Sequence, residues 1–263
     1  MSYLQAGGER RFVAPLLQHF RGRRLATIRP EEIRQAARLL YPGAKAGTWN
    51  RNAITPARAI IRHAAELGWC QPVSVRAFAV ERVARTTVDR AWLEAFMRQA
   101  DADGLPHLAA ALLFMHQTGA RVSEVCRVEA THVDLAGRTV ALARTKTGAW
   151  QIRHISEELA GRLAALTPAP GRPLFGYADR AGLRRRMLAV CRRAGIAYVP
   201  SHQAGRHSFA TNALAMGADL RQVMDAGGWK SARLMLETYA HSDQAGRAVA
   251  ALFDQAKPRR RLK

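Results

Sequence analysis

Hydrophobic and polar positions recur at helical spacing along most of the chain. A helix is predicted from Pro30 to about Leu40, because proline is tolerated in a first helical turn and the glutamates after it suit the positive end. A second helix is predicted over 48–67, where Ile54 and Ile61 share one face. Further helices are predicted over 88–101, 106–117, 156–166, 179–194, 203–217, 219–225, 231–240 and 243–255, and one more is predicted to begin near Arg121.

Two short stretches alternate in the manner of β-strands. Thr139–Ala143 and Trp150–Ile155 flank the sequence Lys146-Thr147-Gly148, which is typical of a hairpin turn. The predicted fold class is therefore mainly α with one small antiparallel β-sheet.

The stretch Val75–Thr87 predicts an extended linker, since it carries arginines but no turn residue. A boundary near 85 divides the chain into domains at 1–85 and 86–263. Residues 9–24 are dense in arginine and are predicted to form a mobile or DNA-contacting arm, and the tail 257–263 is predicted to fray.

The charge of the chain points to a polyanionic partner. The 263 residues include 41 Lys+Arg and 20 Asp+Glu, for a formal net charge of +21. Codon bias explains why nearly all the basic residues are arginine, but not why they outnumber the acids twofold. Such a field attracts nucleic acid. A membrane surface is disfavoured, because no basic amphipathic helix stands apart.

Several classes of protein are disfavoured. No apolar run approaches the ~20 residues that span a bilayer, and the N-terminus has no secretory pattern. Cys70, Cys126 and Cys191 are widely spaced without a C-x-x-C pair, which argues against a disulfide framework or a zinc site. We expect three reduced thiols in a cytoplasmic protein.

Four short segments concentrate chemistry-bearing side chains. They are TGARVSE at 118–124, TKTG at 145–148, SHQAGRHSFAT at 201–211, and GWKS at 228–231 followed by TYAH at 238–241. Each has an ordinary interpretation by itself: a surface arginine, a solvated lysine, a capping histidine, a core tryptophan or tyrosine. In this order, on a basic chain, they resemble the tyrosine recombinases, which include phage integrases and chromosome-dimer resolvases.

The resemblance covers about 85–242 with motif support, whereas the first 85 residues match only in length, basicity and helical pattern. It implies a helical core-binding domain followed by an α+β catalytic domain. It also implies site-specific cutting and rejoining of DNA through a 3′-phosphotyrosyl link, without metal or cofactor. The catalytic residues that it implies are Arg121, Lys146, His202, Arg206, Trp229 and Tyr239.

The chemistry explains why these residue types are needed. Cleavage of a phosphodiester builds negative charge on the phosphate oxygens, and the guanidiniums of Arg121 and Arg206 can grip them in bidentate fashion. A phenol is mostly protonated at neutral pH, so the nucleophile Tyr239 needs a base or a positive field. His202 is the candidate proton partner.

Two further roles follow from the resemblance. Lys146 would protonate the leaving 5′ oxygen, which an arginine could not do; its retention in a chain that uses arginine almost everywhere favours this role. Trp229 stands where many members have histidine, and its indole N–H can donate to a phosphate oxygen.

Glu124, one turn after Arg121, either holds that arginine or forms an ordinary surface pair.

The spacing around Arg206 departs from the family pattern His-x-x-Arg. His202 lies four positions before Arg206, and Gln203 occupies the usual slot. Either an extra residue lets His202 reach the same point, or Gln203 replaces it; we favour His202, because an i,i+4 pair shares a helix face. His207 is assigned to packing or to a supporting hydrogen bond.

The resemblance implies that the partner is duplex DNA with inverted half-sites. Two protomers would bind each site, and four would form a synapse. The protein would be associated with the nucleoid in the cytoplasm. Three alternatives stay open: an inactive DNA-binding protein of the same fold, a type IB topoisomerase, and an unrelated helical regulator. The sequence also leaves open the target DNA, the choice among integration, excision and dimer resolution, and whether the helix at 243–255 docks on its own or a neighbouring protomer.

Overall fold

The chain folds as two compact units, residues 1–83 and 84–263, each with its own hydrophobic core. The structure, a computed structural model, describes residues 4–5, 7–81, 86–142, 150–168 and 171–239, without the side chains of 234 and 237–239. The predicted fold class is confirmed, because the described residues form helices and one small antiparallel sheet.

Among its described residues, the first unit has helices but no β-strand. Its helices are α1 (Arg10–His19), α2 (Pro30–Leu40), α3 (Ala46–Trp49) and α4 (Thr55–Glu66). A π-helical turn, Asn50–Ile54, joins α3 to α4, so the helix predicted over 48–67 is present but interrupted by a wider turn. A short 3₁₀ segment, Leu25–Thr27, precedes α2.

Helix α1 contradicts one of the two alternatives predicted for residues 9–24, a mobile arm. Its Leu16 is buried in the core of the first unit, and Phe20, just past its end, packs against that core. These two residues lie four positions apart and therefore share a helix face. The expectation of mobility was wrong because the density of arginine masked this short apolar stripe, while the alternative, contact with DNA, stays a prediction.

Residues 71–81, which include the start of the predicted linker at 75–87, form neither helix nor strand and are fixed to the helices of the first unit. The Asn50 amide pairs with both backbone groups of Phe78: its Nδ2 donates to the carbonyl at 2.9 Å and its Oδ1 accepts from the amide N–H at 2.8 Å. The Arg58 Nε donates to the Val75 carbonyl at 2.7 Å. These side chains replace the ladder bonds that an isolated extended segment lacks.

The second unit contains the small sheet and eight further helices among its described residues. The helices are α5 (Arg90–Ala102), α6 (Pro106–Thr118), α7 (Val122–Val125), α8 (Glu157–Ala164), α9 (Arg180–Arg193), α10 (Ser208–Ala215), α11 (Leu220–Gly227) and α12 (Ala232–Tyr239). A π-turn, Gln203–His207, leads into α10, and a 3₁₀ segment, Ala130–His132, precedes the sheet. The helix expected at 243–255, the tail 257–263 and the turn at 146–148 lie outside the described residues.

The sheet has the order β1-β2-β3 and is antiparallel throughout. Strands β2 (Thr139–Leu142) and β3 (Gln151–His154) confirm the two predicted strands, with Val140 opposite Arg153. Strand β1 (Val133–Asp134) was not predicted, because two residues are too few to show an alternating pattern.

Helix α6 is the centre of the second unit. Its residues 108–115 are all buried, and it packs against α5, α8, α9, α10 and the π-turn. A helix that is apolar all round belongs in the middle of a core. Four helices of this unit start at side-chain caps that accept a backbone N–H: Asp89 for α5, Ser156 for α8, Asp179 for α9 and Asp219 for α11.

The described part of the chain contains no helix with the length and apolar character needed to cross a bilayer. All three cysteines fall within it and are free, Cys126 and Cys191 being buried.

The π-turn approaches α6 closely at Gly205. A Cβ atom at this position would lie 2.5 Å from the Cβ of Met115. We expect Gly205→Ala to lower the free energy of unfolding by about 1–3 kcal/mol, because added volume forces a packed interface apart. Urea unfolding followed by circular dichroism measures this change.

Gly161→Ala is the matched control, because Gly161 lies in α8 with no atom near its would-be Cβ. The control should be neutral or stabilising by up to ~1 kcal/mol. Equal effects of the two substitutions would contradict the close approach at Gly205.

Candidate active site

Arg206 is a buried cation held between two helix ends. It lies in the π-turn, and only 3% of the residue's surface is exposed to solvent. Its Nη1 donates to the carbonyl of Gly119, just past the end of α6, and to the carbonyl of Gly227, the last residue of α11, at 2.8 Å. Helix carboxyl ends carry partial negative charge, so both contacts favour the guanidinium.

Trp229 covers the guanidinium. The Arg206 Cζ lies 3.6 Å from the centroid of the indole. The Phe209 ring stacks on the indole, with the ring centroids 6.1 Å apart and an angle of 5° between the ring planes. The Arg206 contact is a cation–π interaction. A Cβ atom at Gly227 would overlap the indole, and one at Gly119 would lie 2.8 Å from Phe209. Glycine at these two positions therefore gives the aromatic pair its room.

Arg121 is placed at the same end of α6 but is exposed to solvent. It precedes α7, two positions after Gly119, and 46% of its side chain is accessible. The Glu124 carboxylate accepts from its Nη1 at 2.8 Å and from its backbone N–H at 2.7 Å. Glu124 thus caps α7 and orients Arg121, which is the first of the two interpretations of this pair.

His202 precedes the π-turn and is exposed, whereas His207 at the end of the turn is 2% exposed. Their rings meet edge to face with centroids 4.4 Å apart. A π-turn closes i→i+5 bonds and so accommodates one residue more than an α-helical turn. The wider turn lies between His202 and Arg206, where the sequence carries its extra residue.

Side chains bind the carbonyls of the π-turn. The Ser208 Oγ donates to the Gln203 carbonyl at 2.8 Å and accepts from the Val88 N–H at 2.9 Å. The His116 Nδ1 lies 3.0 Å from the Ala204 carbonyl. Because a π-turn displaces carbonyls from the regular helical pattern, these partners stabilise it.

The hydrogen bonds of His116 fix its tautomer. A carbonyl only accepts, so Nδ1 carries the proton toward Ala204, and Nε2 is left to accept from the Asn212 amide at 3.3 Å. Burial lowers the pKa of His116, and the hydrogen bond to Ala204 opposes this shift. We therefore assign a neutral imidazole at pH 7.

The structure brings Arg121, Arg206 and Trp229 to one end of α6, with His202 at the start of the adjoining π-turn. Tyr239 is the last described residue of α12, which begins three positions after Trp229, and its side chain lies outside the described part. Lys146 also lies outside the described residues.

Sequence reasoning missed three groups around Arg206: His116, Arg153 and Ser208. His116 and Arg153 reach the site through the tertiary fold, from α6 and β3, and nothing in their local sequence marks them. Ser208 lay within a quoted motif, in which its hydroxyl had no assigned partner.

We expect His116 to titrate below its usual value of 6.5 and to carry its proton on Nδ1 at pH 7. Two-dimensional ¹⁵N NMR of the imidazole nitrogens measures both properties, and His116→Gln assigns the signals. A pKa at or above 6.5 would contradict the assigned network.

The same shift makes a stability prediction. Since the folded pKa is lowered, the unfolded chain takes up this proton first as the pH falls. The contribution of His116 is therefore complete above pH 6.5 and is lost as the pH falls toward the folded pKa. The stability difference between wild type and His116→Gln should shrink over that interval.

Comparison with known proteins gives the family. The sequence profile of the phage integrase family matches residues 87–245, which is more than half of the chain. No curated protein matches the sequence. Solved structures are similar at 17–18% identity, which supports the fold alone.

Three of these structures cover nearly all of the chain. The crystal structure of XerA recombinase covers 97% of this chain and 97% of its own, with a TM-score of 0.56 and 18% identity. The Tn1549 transposon integrase in complex with a circular intermediate DNA covers 96% of this chain and 94% of its own, with a TM-score of 0.73 and 17% identity. The XerH site-specific recombinase bound to a palindromic difH substrate covers 93% of this chain and 78% of its own, with a TM-score of 0.67 and 17% identity. From the family profile, with the fold in agreement, the chain belongs to the phage integrase family, the tyrosine recombinases that its motifs resemble.

Proposed function

We propose that this protein is a site-specific recombinase that cuts and rejoins DNA by transesterification through a 3′-phosphotyrosyl intermediate at Tyr239. The observation that carries the proposal is the buried Arg206 guanidinium, fixed by the ends of α6 and α11 beside Trp229, with Arg121 exposed at the same end of α6. Family membership supports the same activity.

The two arginines differ in how they would act on the scissile phosphate. Arg206 is held in place before DNA arrives, so little reorganisation is needed when charge develops in the transition state. Arg121 is accessible and oriented by Glu124, which suits a bidentate contact with the free oxygens. A preorganised donor of this kind is worth on the order of 3–4 kcal/mol.

The covalent step exchanges one phosphodiester for another. The Tyr239 phenolic oxygen forms a bond to the 3′-phosphate as the bond from phosphorus to the 5′ oxygen breaks. His202 accepts the phenolic proton, and Lys146 donates a proton to the leaving 5′ oxygen. Attack by a 5′-hydroxyl reverses the step and releases Tyr239, so no ATP is required. Trp229 shields the guanidinium of Arg206 and donates its indole N–H to the phosphate.

His202 is preferred over Gln203 as the proton partner. The extra residue between His202 and Arg206 coincides with a π-turn, and π-turns of this sort are frequent at functional sites. Because the turn is wider, His202, four positions before Arg206, lies near the place that a residue three positions before Arg206 would take in an α-helix. Ser208 and His116 hold the turn in that form.

We further propose that residues 1–85 bind DNA as a core-binding domain and that residues 86–263 form the catalytic domain. Two protomers would bind inverted half-sites, and four would form the synapse, in the nucleoid of the cytoplasm. The net charge of +21 supports a DNA partner. The Tn1549 integrase and XerH structures, which contain DNA, support the same partner.

The nucleophile is tested with a suicide DNA substrate, nicked near the cleavage site and drawn from DNA that flanks the gene. We expect wild type to form a covalent adduct that survives a denaturing gel. Tyr239→Phe should bind the same DNA and form none, because the ring without its oxygen cannot attack phosphorus.

Each outcome separates the candidate activities. Tight binding without an adduct from wild type would reject the recombinase and favour an inactive DNA-binding protein. An adduct in Tyr239→Phe would reject Tyr239 as nucleophile. Relaxation of supercoiled plasmid without site preference would point to a topoisomerase.

The role of His202 is tested by comparing two neighbouring substitutions. His202→Ala should lower the single-turnover rate of adduct formation by about 10²–10⁴-fold, the range for loss of a general acid or base. Gln203→Ala is the matched control and should change the rate by less than about tenfold on the same scale. The reverse order of effects would assign the role to Gln203.

A further inference from the structure

Arg153 is a second buried arginine that reaches the same helix end as Arg206. It lies on β3 and is 2% exposed. Its Nη1 donates to the Ala226 carbonyl at 2.6 Å, and its Nη2 donates to the Gly227 carbonyl at 3.2 Å. The Gln151 Oε1, on the same strand, accepts from Nη2 at 2.8 Å. The guanidinium therefore ties the sheet to the last two residues of α11.

The charge of Arg153 is offset by the helix rather than by a hydrogen-bonded carboxylate among the described residues. The carbonyls of Ala226 and Gly227 belong to the negative end of the α11 dipole. Burial lowers the pKa of Arg153, the nearby Arg121 lowers it further, and Glu124 raises it. An arginine keeps its charge in proteins, so Arg153 adds a fixed positive charge within electrostatic reach of Arg121.

The Gly227 carbonyl is shared by both buried arginines. It accepts from Arg206 Nη1 at 2.8 Å and from Arg153 Nη2 at 3.2 Å. A carbonyl oxygen has two lone pairs, so one oxygen can serve both donors. Any displacement of this carbonyl changes a contact that holds Arg206 in place.

The next residue is adapted to this arrangement. Gly228 ends α11 with φ of +67°, and a Cβ there would lie 2.7 Å from Arg153 Nη2 and 2.8 Å from Gln151 Oε1. The absence of a side chain thus allows both the left-handed turn into Trp229 and the approach of the arginine.

We propose that Arg153 is a positioning residue for strand cleavage, which fixes the Gly227 carbonyl and thereby the orientation of Arg206 and Trp229. This inference rests on the proposed function. The planar fork of a guanidinium spans the adjacent carbonyls of Ala226 and Gly227, whereas a lysine offers a single point charge. In the sequence, Arg153 follows Lys146, the proposed proton donor, by seven positions.

The test measures single-turnover adduct formation on the suicide DNA substrate at saturating protein, together with DNA affinity and thermal unfolding. We expect Arg153→Ala to form the Tyr239 adduct about 10–10²-fold more slowly, the effect of a displacement of about 1 Å. Its DNA affinity should stay close to that of wild type, because Arg153 is buried and its guanidinium is not exposed to a phosphate backbone. Arg153→Lys, which keeps the charge and most of the volume, should also be slow.

Chemical rescue separates positioning from a general loss of structure. Methylguanidinium added to Arg153→Ala should restore part of the rate, because it can occupy the vacated space and bind the two carbonyls. Sodium chloride at equal ionic strength should not. Arg162→Ala is the control, since it removes an arginine of α8 that pairs with Asp101, away from the Gly227 carbonyl. It should cleave at the wild-type rate.

The outcomes distinguish this inference from the proposed function. A wild-type rate in Arg153→Ala or Arg153→Lys overturns the role of Arg153 alone. The role of Arg153 is also overturned if methylguanidinium does not restore the rate of Arg153→Ala and the lost rate is proportional to the fraction of unfolded protein. If Arg153→Ala does not fold, the slow rate of a folded Arg153→Lys carries the same test. Failure of wild type to form any adduct overturns the proposed function, and this inference with it.

Discussion

The second unit depends on one buried cation, the guanidinium of Arg206. Burying a charge costs several kcal/mol unless polar partners replace water. Here the partners are the carbonyls of Gly119 and Gly227, at the negative ends of two helices, and the face of the Trp229 ring. The ends of α6 and α11 must therefore meet at this side chain, and the π-turn that carries it must lie against α6.

Small residues and a wider helical turn make this convergence sterically possible. Gly205 lets the π-turn approach Met115, and Gly227 leaves room for the indole. The turn itself is held by hydrogen bonds to two of its carbonyls, one from Ser208, the residue that follows it, and one from His116 of α6. The geometry that presents Arg121, Arg206 and His202 is thus distributed over several elements, so packing and proposed chemistry are coupled.

Most of the fold could be predicted from periodicity, because α6 and α9 are long and strands β2 and β3 alternate clearly. Helix α1 was missed because its apolar stripe is short and lies among arginines, and β1 because it has two residues. The π-turns were not predictable from periodicity. They insert a single residue into an otherwise helical pattern, and only the departure from His-x-x-Arg pointed to one of them.

The sequence by itself determined the residue types of the candidate site, their order, and the family to which they belong, because those features are local and motif-bearing. Tertiary structure alone decided which groups hold them. Arg153 and His116 approach Arg206 and its turn from 53 and 90 positions earlier in the chain (206 − 153 and 206 − 116). Their partners are backbone carbonyls, which every residue possesses, so no side-chain motif records the contact.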